Sequence, residues 1–204
     1  MIDQISQIVG HDVPRETFDQ LERYVSLLLE ASRSQNLIAA STVADVWSRH
    51  IQDSAQLIAL APPGGTWLDI GSGAGLPGLV IAILTGRPMV LLEPRRLRVA
   101  FLEEVKAALN LTDVTIVAGK TTALRGTFGK ITARAVAPAP DLFAMAHHLS
   151  RRETVWLLPK GRSAQKELDA TRASWQGQFH LEASRTDAGA SILIASRVQP
   201  RGKQ

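Results

Sequence analysis

The residues best suited to chemistry lie together between Thr66 and Gly78, in the sequence TWLDIGSGAGLPG. The apolar run Trp67–Ile70 carries one acid, Asp69, and leads directly into a turn rich in glycine. Glycine adopts positive φ without a steric penalty, so the backbone can turn sharply and approach a ligand closely. A strand that enters such a turn and continues into a helix is typical of a nucleotide-type cofactor site.

Two acids stand at the ends of the first two predicted strands. Asp69 precedes the turn, where it can hydrogen-bond an amino group or polar backbone near the amino-acid end of a ligand. Glu93 ends the second strand, where a carboxylate can accept both ribose hydroxyls of an adenosine. This arrangement favours S-adenosylmethionine as the cofactor. The glycines predicted to bind it are Gly71, Gly73 and Gly75.

A second glycine pattern overlaps the first and keeps an alternative open. Residues 73–78 also fit G-x-G-x-x-G, the fingerprint of dinucleotide-binding proteins. An NAD(P)-dependent oxidoreductase is therefore the alternative enzyme class. It would also need a second domain to hold the hydride donor or acceptor, and nothing after the fourth strand resembles one.

Basic residues follow two later strands, at the edge of the sheet where ligands of open α/β folds bind. Arg134 follows the fourth predicted strand and indicates a site for an anion or a carbonyl edge, and Lys160 follows the fifth. The stretch Ala133–Pro140 lacks the Asn/Asp-Pro-Pro-aromatic tetrapeptide of enzymes that act on exocyclic amines. These features favour a substrate atom other than an exocyclic amine.

Composition and spacing exclude other chemistry. Cysteine is absent, which rules out disulfides, thiolate metal sites and thiolate nucleophiles. The histidines lack metal-ligand spacing, so no metal site is expected. His50, Asp53 and Ser54 lie too close together on one predicted helix to form a hydrolytic triad.

Charge and hydropathy indicate the partners and the compartment. Lys and Arg total 23 against 19 Asp and Glu, which weakly favours a polyanionic partner such as nucleic acid. The N-terminus lacks the pattern of a signal peptide, and the longest apolar stretch, Leu76–Leu84, is too short to span a bilayer. We therefore expect a cytoplasmic protein that does not enter a membrane.

The pattern of elements changes at the Pro62-Pro63-Gly64-Gly65 segment. Before it, periodicity predicts amphipathic helices over 15–32 and 43–60, the first starting at Pro14 and the second capped by Ser41 or Thr42. After it, alternating strands and helices predict an α/β fold, a mostly parallel Rossmann-like sheet with helices on both faces. The predicted strands are 66–70, 89–93, 114–117, 131–136, 154–158, 178–184 and 191–198, the last two forming an antiparallel hairpin. The predicted division is a helical segment over 1–62 and a cofactor-binding domain over 63–204.

Several short segments together carry a family resemblance. They are Asn36-Leu37-Ile38-Ala39, residues 49–54 (RHIQDS), residues 69–78 (DIGSGAGLPG), Leu92-Glu93, Arg98 with Phe101-Leu102, Ala133-Arg134-Ala135 and Pro159-Lys160-Gly161. With them the chain resembles the RsmG (GidB) family of bacterial methyltransferases, from about residue 15 to the last strands. The Pro-Gly pair after the turn, combined with the Asn-Leu and His-x-x-Asp-Ser elements, is far more specific than the glycines alone.

The resemblance implies a fold, a reaction and a set of contacts. The fold is a class I methyltransferase domain with an N-terminal helical cap. The reaction transfers a methyl group from S-adenosylmethionine to N7 of a guanine in 16S ribosomal RNA, at position 527 in the 530 loop. The partner is 16S rRNA or the small ribosomal subunit, and the protein is expected to be a monomer. The implied cofactor contacts are Gly71, Leu76, Glu93, Thr121 and Thr122 after strand three, and Arg134.

The chain departs from the family pattern at two places. After strand three the family has an Arg followed by an acid, where this chain has Lys120-Thr121-Thr122, and Pro94 replaces a small hydroxyl residue.

The mechanistic hypothesis concerns the acceptor. Two cations bind a substrate phosphate or guanine O6, and two residues of the helical cap support the pocket. The cations are Arg134 and Lys160, and the bracing residues are Asn36 and His50. A non-catalytic ribosome-assembly factor with the same fold remains the other alternative.

Overall fold

The structure, a computed structural model, describes residues 1–202. The strands are β1 (Trp67–Ile70), β2 (Met89–Glu93), β3 (Val114–Ala118), β4 (Lys130–Thr132), β5 (Val155–Lys160), β6 (Trp175–Ala183) and β7 (Ser191–Pro200). The helices are α1 (Ile2–Val9), α2 (Arg15–Gln35), α3 (Asp53–Leu60), α4 (Gly78–Thr85), α5 (Arg96–Ala108), α6 (Ala139–Ala146) and α7 (Ala164–Ser174). Within residues 1–202, every helix is either too short or too polar to span a bilayer.

The seven strands form one sheet in the order β3-β2-β1-β4-β5-β7-β6. The pairs among β1 to β5 are parallel, and β7 runs antiparallel to both of its neighbours, β5 and β6. The predicted mostly parallel sheet with a closing antiparallel hairpin is confirmed. The strand order reverses at β1, where ligands of doubly wound sheets bind at the carboxyl ends of the strands.

Both faces of the sheet are covered, which explains why β1 is apolar at every position except Asp69. Trp67 packs into the cluster formed with α4, α5 and the N-terminal helices. Leu68 and Ile70 point to the other face and pack with α6 and α7. A strand buried on both faces needs apolar residues at successive positions rather than at alternate ones.

The N-terminal helices share the core of the sheet domain. In α2, Phe18, Leu21, Val25 and Leu28 recur at helical spacing and are buried. They belong to the hydrophobic cluster that also contains α4 and α5 side chains. The helical segment thus packs on the core, while its division from the rest at residue 62 stays a prediction. The last two residues of the predicted 63–204 domain lie outside the described residues.

Apart from shifts of a few residues at element ends, the structure differs from the predicted elements at three places. Helix α1 was not predicted, although Ile5 and Val9 bury one of its faces. The helix predicted over 43–60 begins only at residue 47 with a π-helical stretch, Trp47–Gln52, that continues into α3. Neither Ser41 nor Thr42 caps it, because Thr42 donates its hydroxyl to the Ala39 carbonyl, 2.8 Å away.

The third difference concerns strand β4 and matters most for the site. The prediction extends this strand to residue 136, but its pairing with β5 ends at Thr132. Ala135 has φ of 56°, a left-handed conformation that a strand does not contain. The chain therefore leaves the sheet as a loop over residues 133–136, which carries Arg134 away from the strand.

Candidate active site

The glycine turn begins where β1 ends, and its backbone leaves no room for side chains. Gly71 has φ of 68°, and a Cβ there would lie 2.6 Å from a Val136 methyl carbon. Gly75 has φ of 89°, and a Cβ there would lie 2.3 Å from Leu79 Cδ1. Both conditions require glycine, since other residues pay a steric penalty at positive φ and contacts this short do not occur.

Asp69 holds this turn from behind. Its carboxyl is fully buried, and its Oδ2 accepts the Gly78 N–H at 3.1 Å, at the start of α4. The Ser72 hydroxyl donates to the Asp69 carbonyl at 3.0 Å. Burial raises the pKa of Asp69 to about 7, against smaller lowering effects that include the Gly78 hydrogen bond and the charge of Arg134. The sequence analysis expected Asp69 to bond either a ligand amino group or polar backbone, and the structure shows the backbone contact.

Tyr24 braces the same turn and was not predicted. This side chain of α2 is fully buried, and its hydroxyl donates to the Ala74 carbonyl at 2.8 Å. Burial raises the pKa of the Tyr24 hydroxyl far above its usual value, so the hydroxyl keeps its proton and remains a donor. Its position on one face of an amphipathic helix gave no signal beyond that of a core residue.

A cavity of about 470 Å³ opens beside the turn, at the carboxyl ends of β1, β2 and β4. We call it the cofactor cavity. Glu93 lies at its wall with both carboxylate oxygens engaged once: Oε2 accepts the Gly73 N–H and Oε1 the Arg95 N–H, each at 2.8 Å. A carboxylate offers about four acceptor sites, so both oxygens can still accept a hydroxyl. The predicted cofactor contacts found in its wall are Gly71, Gly73, Leu76, Glu93 and Arg134.

Four predicted cofactor contacts lie outside this wall. Asp69 supports the turn from behind, and Gly75 lies within the turn where it packs against Leu79. Thr121 and Thr122 lie in a short 3-10 turn after β3, where their carbonyls accept hydrogen bonds from His148 and Arg125. For the two threonines, backbone contact with a cofactor stays a prediction.

Arg98 lines the cofactor cavity, and the sequence analysis named it only as part of the family resemblance, without a role in the site. It extends from α5 toward the turn, and a Cβ on Gly73 would lie 3.3 Å from Arg98 Nη1. The signal that could have found it is its position one turn into the helix that follows Glu93.

A second cavity of about 560 Å³ lies next to the first, at the carboxyl ends of β4 and β5 and beneath the loop between β6 and β7. We call it the acceptor cavity. The two cavities share one wall, formed by Arg134, Ala135 and Val136. The left-handed Ala135 thus stands where the two sites meet, and strained backbone of this kind concentrates at functional sites.

His50 and Asp53 hold the Arg134 side chain in the acceptor cavity. Arg134 Nη1 lies 3.5 Å from Asp53 Oδ2 and 3.3 Å from His50 Nδ1. His50 Nε2 in turn lies 2.8 Å from the Thr42 hydroxyl oxygen. Burial lowers the pKa of His50 to about 4, helped by the positive charges of Arg134 and Arg49. The ring is therefore neutral at neutral pH, and its Nδ1 can accept from Arg134.

The other predicted substrate residues have different surroundings. Lys160 lines the acceptor cavity, but its ammonium lies 2.7 Å from a Glu167 oxygen and donates to the Ala137 carbonyl at 3.2 Å. Burial alone would raise the pKa of Glu167, but hydrogen bonding and charge from Lys160 outweigh it, and the pKa falls below its usual value. Lys160 therefore lines the cavity as an ammonium already paired with a carboxylate, and its contact with a substrate phosphate or O6 stays a prediction. Asn36 is exposed and ends α2 with φ of 48°, outside both cavity walls.

The sequence comparisons assign the family. A family model described as rRNA small subunit methyltransferase G (GidB) matches residues 17–190. The chain belongs to this family. Two relatives named ribosomal RNA small subunit methyltransferase G illustrate the match. The one from Rhizorhabdus wittichii is 47% identical over 196 residues, covering 94% of this chain and 90% of the relative. The one from Sphingopyxis alaskensis is 48% identical over 195 residues, covering 92% and 83%.

Solved structures of lower identity confirm the fold. A ribosomal protein L11 methylase from Lactobacillus delbrueckii subsp. bulgaricus superposes with a TM-score of 0.60 at 18% identity, over 73% of this chain and 78% of the other. A variant of MtNAS in complex with S-adenosylmethionine gives a TM-score of 0.58 at 18% identity, over 86% and 75%. The resemblance to the RsmG family and the Rossmann-like class I methyltransferase fold are therefore both confirmed.

Proposed function

We propose that this chain transfers a methyl group from S-adenosylmethionine to N7 of a guanine in 16S ribosomal RNA, within the 530 loop. Membership of the rRNA methyltransferase family supports the reaction and the cofactor. One structural observation carries the assignment of the two cavities: they share the wall formed by Arg134, Ala135 and Val136. A cofactor in the first cavity and a purine in the second would meet across this wall.

The residues around the glycine turn fit the cofactor. The two Glu93 oxygens retain acceptor capacity for the ribose hydroxyls, and the turn from Gly71 to Leu76 would hold the methionine end. Arg98 supplies a guanidinium for a carboxylate in the same cavity. When bound, S-adenosylmethionine supplies a methyl on a sulfonium: the N7 lone pair forms the nitrogen–carbon bond while the carbon–sulfur bond breaks and its electron pair returns to sulfur.

The chain itself has to align the reactants rather than move a proton. N7 of neutral guanine carries a free lone pair, so no side chain must deprotonate it first. Alignment of this kind can supply on the order of 7–11 kcal/mol at best. Arg134, held by His50 and Asp53 at the shared wall, would donate to guanine O6 or to a phosphate without lying on N7. A cation on N7 would oppose the positive charge that develops on the ring.

The comparisons decide between the alternative functions. The NAD(P)-dependent oxidoreductase is wrong, because the chain belongs to a methyltransferase family. A non-catalytic assembly factor is not supported either, since the relatives are named methyltransferases and both Glu93 and the glycine turn are present. An rRNA substrate supports the expected cytoplasmic location. A monomer remains the expected oligomeric state.

Exposed arginines near the acceptor cavity could contact the RNA backbone. Arg49 lines this cavity, and Arg162 lies within 4 Å of a Cβ built on Gly189, in the loop above it. Guanidinium groups bind phosphates bidentately and position the nucleic acid without reading its sequence. We therefore expect binding to weaken as salt is raised.

Replacement of Arg134 by Ala tests the assignment. We expect methyl transfer to small-subunit rRNA to fall by about 100-fold, at least as much as cofactor affinity falls, because the guanidinium positions the acceptor. Transfer is measured by incorporation of labelled methyl groups, and affinity by calorimetric titration with S-adenosylhomocysteine. The matched control is Arg87→Ala, an exposed arginine before β2 at the opposite edge of the sheet. Unchanged turnover in the Arg134 variant would refute the role.

A further inference from the structure

Three carboxylates line the acceptor cavity, and two of them are engaged by strong donors. Glu167 pairs with the Lys160 ammonium at 2.7 Å. Asp187 pairs through Oδ2 with Arg49 Nη1, also at 2.7 Å, and through Oδ1 with the Gly189 N–H at 2.8 Å. These contacts leave the third carboxylate, Asp53, as the one to consider for a ligand.

Asp53 is held in one orientation by neighbours on one side. Its Oδ1 accepts from Gln56 Nε2 at 2.9 Å and from the Thr186 hydroxyl at 3.1 Å. Among residues 1–202, its Oδ2 makes a single polar contact, with Arg134 Nη1 at 3.5 Å, longer than a hydrogen bond. The side chain is 20% exposed, so Oδ2 keeps acceptor capacity at the cavity surface.

We propose that Asp53 and Arg134 together read the target base as guanine, Arg134 donating to O6 and Asp53 Oδ2 accepting from N1–H. This inference rests on the proposed function and names the recognition it requires. A donor and an acceptor 3.5 Å apart match two adjacent groups on one base edge, since O6 and N1–H of guanine are neighbours. N7 lies on the other side of O6, so it faces the wall shared with the cofactor cavity.

The pair discriminates guanine from adenine by reversed polarity. Adenine carries a donor, the N6 amino group, where guanine has O6, and an acceptor, N1, where guanine has N1–H. In adenine both positions would face a group of the same kind on the protein. Such discrimination is needed because N7 is a nucleophile in both purines. Sites that leave buried polar groups unpaired reject the wrong ligand strongly.

Methylation strengthens the same contact. The ring gains a positive charge as the nitrogen–carbon bond forms, which makes N1–H a better donor. A carboxylate at this position favours the developing charge and offsets the opposing charge of Arg134. Asp53 therefore contributes to specificity and to rate through one hydrogen bond.

The first test uses the wild-type protein and an rRNA fragment with a single changed base at the target. Guanosine and inosine both present O6 and N1–H, whereas adenosine and 2-aminopurine riboside do not. We expect inosine to be methylated within about threefold of guanosine, and adenosine and 2-aminopurine at least about 100-fold more slowly. A loss of 10-fold or more for inosine would overturn the proposal, since recognition would then depend on the N2 amino group, roughly as one missing hydrogen bond predicts. Absence of methyl transfer to guanosine would instead contradict the proposed function itself.

The second test is Asp53→Asn. Gln56 and Thr186 both donate to the Oδ1 position, so they orient the new amide with its oxygen toward them and its NH2 toward the cavity. A donor then replaces the acceptor, and we expect the guanosine-to-adenosine rate ratio to fall by at least about 10-fold. The ratio is internal to each variant and does not depend on the folded fraction. The matched control, Asp187→Asn, changes a carboxylate of the same cavity and should keep the wild-type ratio. An unchanged ratio in Asp53→Asn would overturn the proposal.

Discussion

The two cavities are built in different ways from the same sheet. The cofactor cavity is built around the backbone of one short segment, residues 71–76, and Glu93 twenty residues later, and side chains such as Arg98 and Arg134 complete its wall. Buried groups from behind, Asp69 and Tyr24, fix that backbone. The acceptor cavity is formed by side chains that come from distant parts of the chain, such as His50, Arg134 and Thr186. The glycine turn and Glu93 are thus specified by one short stretch of the chain, whereas the acceptor cavity depends on side chains that the whole fold brings together.

Gly71→Ala should have the largest effect, because it disturbs both cavities. The new Cβ would meet Val136 in the shared wall at 2.6 Å, and φ of 68° is unfavourable for alanine. We expect methyl transfer to fall by more than about 100-fold, as displacements of about 1 Å at an active site can cause. Methyl incorporation would measure the loss of transfer, and calorimetry with S-adenosylhomocysteine would measure the loss of cofactor affinity.

Gly86→Ala separates the effect of backbone strain from that of space. Gly86 ends α4 with φ of 58°, yet a Cβ there has nothing within 4 Å. This variant should lose about 1 kcal/mol of stability and keep cofactor binding. If Gly71→Ala binds the cofactor as well as Gly86→Ala does, the close packing of the turn against the wall is not required.

The second prediction concerns the pH dependence of stability, and it tests the role of buried Asp69 behind the glycine turn. Burial raises the pKa of Asp69 from 3.8 to about 7, so the folded protein binds a proton there that the unfolded chain releases. The free energy of unfolding should therefore decrease as pH rises through this interval, with a contribution on the order of 4 kcal/mol from this group. Urea unfolding from about pH 4 to about pH 8 would measure it.

Asp69→Asn is the reference for this measurement, since the amide cannot ionise and can still accept the Gly78 N–H. The difference in unfolding free energy between wild type and variant should change with pH and then level off above about pH 7. His50 is present in both proteins, so its own titration cancels. A difference that is constant with pH would mean that Asp69 titrates as in the unfolded chain.

The smallest effects are expected from removing one supporting hydroxyl at a time, that of Tyr24 beside the cofactor cavity and that of Thr42 in the acceptor cavity. Tyr24→Phe removes the donor to the buried Ala74 carbonyl and should cost about 1–3 kcal/mol of stability, with a several-fold loss of cofactor affinity. Thr42→Val removes the hydroxyl beside His50 Nε2 and should slow methyl transfer while leaving cofactor affinity unchanged. Thermal unfolding, calorimetry and methyl incorporation would separate these outcomes. Equal effects of both variants on cofactor affinity would remove the contrast between the cavities.

The same contrast explains what could be predicted from the sequence. The strand, the turn and Glu93 follow from apolar runs, glycine spacing and strand ends, and all of them lie where the sequence placed them. Strand β4 was predicted too long because Ala133–Val136 is apolar apart from Arg134, and no residue there signals the left-handed Ala135. Propensity describes the strand but not the loop that tertiary packing imposes.

Only some residues of the acceptor cavity were predicted from the sequence, because tertiary packing brings them together. Asp53 was rejected as a triad member and named in the resemblance, but no role in the site was predicted for it. It lies three residues from His50 on a helical face, the spacing at which two side chains can meet one group. Its second anchor, Thr186, lies more than 130 residues away, in the loop between β6 and β7. No local pattern connects them. The pairing of Lys160 with Glu167 was not predicted, because Glu167 lies on a different element, α7.

The wall between the cavities has a thermodynamic consequence. Since Arg134, Ala135 and Val136 touch both compartments, whatever one ligand does to the position of this loop alters the affinity of the other. Linkage makes the effect reciprocal: the factor by which RNA changes cofactor affinity equals the factor by which the cofactor changes RNA affinity. Arg134, Ala135 and Val136 are therefore the residues through which coupling between donor and acceptor binding would act.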